Sequence, residues 1–204
     1  MIKNIILDLG NVILEFNGKK LASEFTKIEE EKELLNNVMF SSQEWLDLDR
    51  GTLEVDTAIE IFKSKLPDNL KNIVEKIMNT WSDYLDIQFN MLEVVKKLKE
   101  NGYKTYILSN APVKIEEYLN DIEFIKYFDG RVISALEKVS KPEKEIYLRL
   151  FDKYNLVPEE SFFIDDKKEN IEAANSLGMK GHIHDMNNLE SLYESFKAND
   201  IKYE

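Results

Sequence analysis

Short apolar runs alternate along the chain with longer segments whose apolar residues have helical spacing. Runs at residues 5–7, 105–108 and 162–164 have the length and continuous apolar character of strands buried in a parallel sheet. Shorter strands are predicted at 130–134 and near 181–183. Their alternation with helices predicts an α/β fold, a Rossmann-like parallel sheet with helices on both faces.

The segment from about residue 21 to 85 has helical spacing and no strand pattern. It predicts an all-helical cap inserted after the first strand, with turn or cap signals at Arg50-Gly51-Thr52 and Pro67-Asp68. We therefore expect a catalytic core formed by residues 1–16 and 87–204 and a cap formed by residues 17–86. Further helices are predicted at 90–99, 143–154 and 168–177.

Composition narrows the class of protein. A chain of 204 residues suits one α/β domain with a modest insertion. The net charge of −12 disfavours binding to nucleic acid or to an anionic membrane surface. A small-molecule partner is expected because a pocket beneath a cap would exclude large polymers. There is no cysteine, which excludes disulfides and thiolate metal sites, and there is no signal-like or membrane-spanning run. A cytoplasmic location is the expectation, and the oligomeric state is left open.

Polar residues follow three of the predicted strands. Asp8 follows the first, Ser109-Asn110 the second, and Asp165-Asp166 the run at 162–164. The carboxyl ends of parallel strands form the ligand-binding edge of an open sheet. Lys141 precedes Pro142, which disfavours helix at the lysine and places it on a loop that can reach this edge.

These residue types suit the chemistry of phosphate esters. A carboxylate such as Asp8 can attack phosphorus covalently, but only if positive charge offsets the repulsion between two anions. Mg²⁺ prefers hard oxygen ligands, which Asp8, the Gly10 carbonyl, Asp165 and Asp166 can supply. Lys141 would add a fixed cation, and Ser109 with Asn110 would bind the transferring group.

The order Asp, Ser, Lys, Asp-Asp resembles that of the haloacid dehalogenase-like hydrolase superfamily. The segments DLGNVILEF, LSNA, SKPEKEIY and FIDDKKENIEAANSLGM resemble its phosphatase branch with a small helical cap, which includes sugar-phosphate (glucose 1-phosphate) phosphatases. The resemblance extends from Ile5 to about Gly181. It implies that Asp8 is an aspartyl nucleophile, Ser109 a phosphate-binding hydroxyl, Lys141 a charge-neutralising lysine, and Asp165 and Asp166 metal acids. It also implies two-step hydrolysis through an aspartyl phosphate, with Mg²⁺ as cofactor.

The chain departs from that pattern at Gly10. Most phosphatases of the superfamily carry a second Asp there, which protonates the leaving group and later activates water. A positioned general acid is worth roughly 10²–10⁴-fold in rate. The expectation is therefore slow turnover and a preference for acidic leaving groups, such as an anomeric hydroxyl.

Four other classes of protein are alternatives to this interpretation. A receiver domain would open with its acid pair, whereas here the pair comes last, and dinucleotide binding lacks its Gly-x-Gly-x-x-Gly pattern. A 2-haloacid dehalogenase needs no metal, so the Asp165-Asp166 pair favours phosphoryl transfer over it. A non-catalytic phosphate-binding or partner-binding module stays open as well.

Several residues allow a plain structural interpretation. Asn11 is interpreted as a turn residue, and Asn170 either orients the acid pair or lies on a helix surface. Trp45 and Trp81 are predicted in the core, with a pocket-facing position for Trp45 as the less favoured alternative. His182 and His184 are interpreted as ordinary surface or edge residues.

Overall fold

The computed structural model describes residues 1–203. The strands in this part of the chain are β1 Asn4–Leu7, β2 Leu14–Glu15, β3 Asp86–Ile87, β4 Lys104–Ser109, β5 Gly130–Ile133, β6 Ser161–Asp165 and β7 Lys180–Ile183. The α-helices are α1 Gly18–Ala22, α2 Glu29–Leu35, α3 Gln43–Arg50, α4 Val55–Lys65, α5 Asp68–Thr80, α6 Phe89–Glu100, α7 Lys114–Asp121, α8 Ser134–Glu137, α9 Lys144–Tyr154, α10 Lys168–Ser176 and α11 Leu189–Ala198.

Five strands form a parallel sheet in the order β5-β4-β1-β6-β7. The strand that is first in the chain is therefore central in the sheet. Leu7 of β1 is in register with Ile107 of β4 and with Ile164 of β6. This register brings the residues that follow each strand to the same edge, because parallel strands all end on the same side.

Successive residues of β1 face opposite sides of the sheet and enter two separate cores. Ile5 and Leu7 pack into the core that contains α6, α7 and α11, whereas Ile6 packs into the core that contains α9 and α10. All three side chains are inaccessible to solvent. The predicted sheet with helices on both faces is thereby confirmed, and the continuous apolar run of β1 is explained by burial on both sides.

The helical insertion leaves and re-enters the core through a short antiparallel ribbon. Strands β2 and β3 pair through Leu14 with Ile87 and Glu15 with Asp86. Between them the described residues form α1 to α5, a π-helical turn at Asn36–Phe40 and a 3-10 turn at Trp81–Tyr84, and contain no strand. The division into core and cap at residues 16 and 87 stays a prediction, but the ribbon lies at the predicted junction.

Four elements, namely strands β2 and β3 and helices α8 and α11, and the burial of one residue differ from the expectations. The sequence does not predict the ribbon, because two-residue strands show no measurable periodicity, and α8 is only four residues long. Helix α11 is not predicted either, although Leu189, Leu192 and Phe196 have helical spacing. His184 is not a surface residue: it is 5% exposed, and neither ring nitrogen has a hydrogen-bond partner among the described residues.

None of the helices in residues 1–203 is both long enough and apolar enough to cross a membrane.

Candidate active site

Lys141 lies at the centre of the polar cluster at the sheet edge. Its Nζ donates to Asp8 Oδ1 at 2.9 Å, to Asp165 Oδ2 at 2.7 Å and to the Leu108 carbonyl at 2.9 Å. A lysine ammonium has three donors, so all are used. Burial alone would lower the pKa of Lys141, but the negative charges of Asp8 and Asp165 outweigh it and raise this pKa. The lysine therefore stays charged although it is only 4% exposed.

Asp8 is held in a defined orientation at the end of β1. Its Oδ1 accepts the Leu9 backbone N–H at 2.7 Å as well as Lys141, and its carboxylate also accepts the Ser109 side chain. Burial raises the pKa of Asp8 to about 6, with Lys141 opposing the shift and Asp165 adding to it. A bound cation would favour the ionised form further, because opposite charges lower the pKa of an acid.

The two acids at the end of β6 have different surroundings. Asp165 is fully buried, and besides Lys141 it accepts the Lys167 backbone N–H and the Asn170 side-chain amide, which contacts both carboxylate oxygens. Asp166 is only partly buried, and its Oδ2 accepts Asn11 Nδ2 at 3.0 Å. Asp165 thus holds Lys141 in place, while Asp166 keeps an oxygen for a ligand.

Asn170 and Asn11 each orient one of the two acids at the end of β6. Asn170 is buried and orients Asp165, so the helix-surface interpretation of this residue is wrong. Asn11 is a turn residue with a φ of 55°, and it also orients Asp166 while accepting the Phe16 backbone N–H at 3.1 Å.

The carboxylates fit a divalent metal ion. Asp8, Asp165 and Asp166 each offer a ligand oxygen, and these oxygens lie within 4.8 Å of one another. The donor set is entirely oxygen, as Mg²⁺ prefers. Three acids beside one buried lysine leave an excess of negative charge that a cation would offset.

Asn110 lines the cavity, but its side chain is paired with the backbone of Lys141. Its Nδ2 donates to the Lys141 carbonyl and its Oδ1 accepts the Lys141 backbone N–H, both at 2.9 Å. This reciprocal pair fixes the loop that ends in the cis peptide bond before Pro142. The side chain of Asn110 is therefore a positioning group, which its place after a strand did not reveal.

A cavity of about 490 Å³ lies over this polar cluster. Its floor contains Asp8, Gly10, Ser109, Lys141 and Asp166, and its walls include residues of the helical insertion. Four aromatic rings of the wall pack edge to face or tilted against one another, namely Phe16, Phe40, Trp45 and Trp81. Trp45 is both buried and cavity-lining, so its two interpretations hold together.

The C-terminal end of α3 is attached to the core at three points. Arg50 forms a two-pronged ion pair with Glu143, one prong of which measures 3.0 Å. The Ser134 hydroxyl donates to the Asp49 carbonyl, and the backbone of Gly51 lies against that of Ala135. These contacts hold the end of the helix over the cavity.

Asp49 is the cavity residue that the sequence interpretation missed. Its Oδ1 is cut off from solvent and has no hydrogen-bond partner among residues 1–203. Burial raises the pKa of Asp49 well above its usual value, with Lys167 opposing the shift and Asp8 adding to it. A signal existed, because an acid in the last turn of a helix is unfavourably placed in the helix dipole.

Comparison with known proteins gives a family match over most of the chain. The family of haloacid dehalogenase-like hydrolases matches residues 2–178. A sesquiterpene phosphatase of Aspergillus oryzae is 27% identical over 185 residues, which cover 90% of each chain. A phosphorylated carbohydrates phosphatase of Thermotoga maritima is 28% identical over 157 residues, covering 75% of this chain and 69% of that one.

Solved structures show the same fold. A haloacid dehalogenase family enzyme from Bacteroides thetaiotaomicron, in complex with magnesium and inorganic phosphate, has a TM-score of 0.70 at 23% identity and covers 91% of this chain and 96% of its own. The L-2-haloacid dehalogenase of Xanthobacter autotrophicus, with chloropropionic acid covalently bound, has a TM-score of 0.71 at 16% identity, with coverages of 99% and 85%. The fold is thus shared by proteins that are named for different reactions.

Proposed function

The chain belongs to the haloacid dehalogenase-like hydrolase family, and from this premise we propose that it is a magnesium-dependent hydrolase of small phosphomonoesters. The observation that carries the proposal is the convergence of Asp8, Asp165 and Asp166, with ligand oxygens within 4.8 Å, beside the buried Lys141. An anion that must attack a dianionic ester needs such positive charge at the point of attack.

The proposed metal site uses Asp8, the Gly10 carbonyl and Asp166, with Asp165 beside them. Because the oxygens of Asp165 already accept bonds from Lys141, Lys167 and Asn170, we assign it mainly the task of holding Lys141. Mg²⁺ bound there would offset the charge of the phosphate and orient it toward Asp8.

The reaction has two steps. The carboxylate of Asp8 attacks phosphorus, the bond to the leaving oxygen breaks, and an aspartyl phosphate forms. Water then attacks that phosphorus and restores Asp8. Lys141 fixes the nucleophile through its bond to Asp8 Oδ1, and Ser109 together with backbone N–H groups near Asn110 binds the phosphoryl oxygens.

We further propose that residues 17–86 act as a cap that excludes bulk water and selects the substrate. The cavity volume of about 490 Å³ suits a small metabolite. Its aromatic wall offers a flat apolar face for a sugar ring, and the Thermotoga maritima relative is named for phosphorylated carbohydrates. Sugar phosphates are therefore the first substrates to test.

The test is an assay of phosphate release from a panel of sugar phosphates, glycerol phosphates and p-nitrophenyl phosphate, with Mg²⁺ and with EDTA. The wild-type protein should hydrolyse members of the panel only with the metal, and Asp8→Asn should reduce kcat by on the order of 10³-fold or more. Asp152→Asn makes the same chemical change on an exposed part of α9 and should leave the rate unchanged.

Two outcomes would overturn the proposal. Release of halide from 2-haloacids without metal would identify a dehalogenase. Phosphate binding without turnover of any ester, in wild-type protein and Asp8→Asn alike, would identify a non-catalytic module.

A further inference from the structure

Two cavity-lining residues in the described part of the chain carry buried polar atoms without a hydrogen-bond partner, and one of them is an acid. These atoms are Oδ1 of Asp49 and Nε1 of Trp81. A buried carboxyl oxygen without a partner is costly, since desolvation is not compensated by a hydrogen bond. Such a cost is commonly retained where the group serves a site rather than the fold.

The surroundings of the Asp49 carboxyl group suit a proton donor. Burial and the nearby negative charge of Asp8 both raise its pKa, and the positive charge of Lys167 only partly opposes them. The carboxyl group therefore holds its proton to higher pH than an exposed aspartate does. Asp8, by contrast, is paired with Lys141 Nζ at 2.9 Å, whereas Asp49 Oδ1 has no hydrogen-bond partner among the described residues. The two acids of the cavity thus have different surroundings, the kind of arrangement that separates an acid from a nucleophile.

The position of Asp49 is fixed by contacts that do not involve its carboxyl group. Its carbonyl accepts the Ser134 hydroxyl, and that hydroxyl accepts the Ala111 backbone N–H at 3.0 Å. The neighbouring Arg50 and Gly51 attach the same turn to the core. The side chain is therefore presented to the cavity by a rigid support, which is what proton transfer at short range requires.

The floor of the cavity has a glycine rather than an acid two residues after Asp8, at a position where an acid could fit. Gly10 lines the cavity, and a Cβ there would meet nothing within 4 Å. The leaving group must nevertheless receive a proton, because an alkoxide is a poor leaving group.

We propose, on the basis of the phosphatase function proposed above, that Asp49 is the catalytic acid and base of the reaction and is supplied by the helical insertion. In the first step Asp8 forms its bond to phosphorus, the bond from phosphorus to the ester oxygen breaks, and that oxygen takes the proton of Asp49. In the second step the Asp49 carboxylate takes a proton from the attacking water, the bond from phosphorus to Asp8 breaks, and inorganic phosphate leaves. Both acids then return to their starting states.

The decisive variant is Asp49→Asn, assayed on an alkyl phosphate and on p-nitrophenyl phosphate. Nitrophenolate is a good leaving group without protonation, whereas an alkoxide must receive a proton as it leaves. We expect a loss of roughly 10²–10⁴-fold in kcat/KM for the alkyl ester and less than about tenfold for the nitrophenyl ester. The preference for acidic leaving groups expected from Gly10 would then belong to this variant and not to the wild-type enzyme.

Glu44→Gln is the matched control. Glu44 lies on the same helix but pairs with Lys65 at the surface of the insertion and does not line the cavity. Its removal should change neither rate. Thermal unfolding of Asp49→Asn should give a Tm equal to or above that of the wild type, because a neutral amide costs less to desolvate than a carboxylate whose Oδ1 is buried without a partner. A purely structural residue would give a lower Tm.

A rescue experiment tests the role directly. Gly10→Asp combined with Asp49→Asn should recover at least about tenfold of the lost alkyl ester hydrolysis, since position 10 has room for an acid facing the same cavity.

If Asp49→Asn loses kcat/KM equally on both esters, or on neither, the assignment of Asp49 is overturned. The Asp8→Asn variant still tests the proposed phosphatase function in that case. Absence of hydrolysis by the wild-type protein itself would instead overturn the proposed function.

Discussion

At the scale of single residues, the site depends on one buried cation between two buried anions. Lys141 bonds to both Asp8 and Asp165, and all three side chains are less than 11% exposed. Removing one partner of such a group leaves charge without compensation, which costs more than the intact pair contributes.

Lys141→Met should therefore lower the free energy of unfolding at pH 7 by about 3–5 kcal/mol in the absence of metal. Urea unfolding in EDTA measures this loss. Adding Asp8→Asn to the variant should restore part of it, because one of the stranded carboxylates is then neutral. Lys168→Met removes an exposed ion pair with Glu172 and should have no measurable effect. Equal effects of the two lysine variants would contradict this view of Lys141.

The sequence allowed prediction of the candidate site residues that lie at the ends of predicted strands. Asp8 follows β1 directly, and Ser109 and Asp165 are the last residues of β4 and β6, and the carboxyl ends of parallel strands meet at one edge of the sheet. Asp49 could not be found in this way, because its burial arises only when α3 packs against α8 and the loop of Glu143. The local pattern around Asn110 likewise does not reveal that its side chain is paired with the Lys141 backbone, and phosphate binding at Asn110 stays a prediction.

At the scale of elements, the attachment of α3 depends on a glycine. Gly51 has a φ of +74°, and a Cβ there would lie 2.1 Å from the Ala135 carbonyl oxygen. Both the left-handed backbone and the close approach to α8 require that no side chain is present. The Arg50-Gly51-Thr52 turn signal was correct, but its contact with the core was not visible in the sequence.

Gly51→Ala should combine backbone strain with a steric clash and displace the turn that carries Asp49. Gly102→Ala is the matched control, because its φ is +86° but nothing lies within 4 Å of the added Cβ. The control should lose roughly 1 kcal/mol of stability and retain its activity, since it suffers strain alone. The Gly51 variant should lose roughly 1–3 kcal/mol more, together with most alkyl ester hydrolysis. Urea unfolding and the alkyl phosphate assay measure both, and identical behaviour of the two variants would show that the clash is relieved without moving Asp49.

At the scale of the whole molecule, two buried groups give the metal-free protein opposite responses to acid. The pKa of His184 is lowered to about 4 by burial and by His182, with Asp185 opposing. The unfolded chain binds a proton at His184 near pH 6.5, whereas the folded protein binds it only near pH 4. The contribution of His184 to the stability of the fold is therefore fully present above pH 6.5 and is lost as the pH falls toward 4. Asp8 behaves in the opposite way: its raised pKa of about 6 makes the native state less stable as pH rises from about 4 to 6.

As the pH is lowered from about 6.5 to 4, the free energy of unfolding should therefore fall less in His184→Leu than in the wild type. In Asp8→Asn it should fall more than in the wild type. Urea unfolding at several pH values in EDTA measures both slopes. Parallel slopes for the two variants would show that neither group titrates as its surroundings indicate. The sequence placed His184 at an edge because its burial comes from the packing around β7, which a short apolar segment does not specify.

The central position of β1 has a consequence for synthesis of the protein. The strand that precedes Asp8 is made first, yet its two neighbours are residues 104–109 and 161–165. During translation β1 can therefore pair with β4 only after about half of the polypeptide has been made, and with β6 only after more than three quarters. A nascent chain has no working centre before that point, and premature termination anywhere upstream of β6 yields fragments without one.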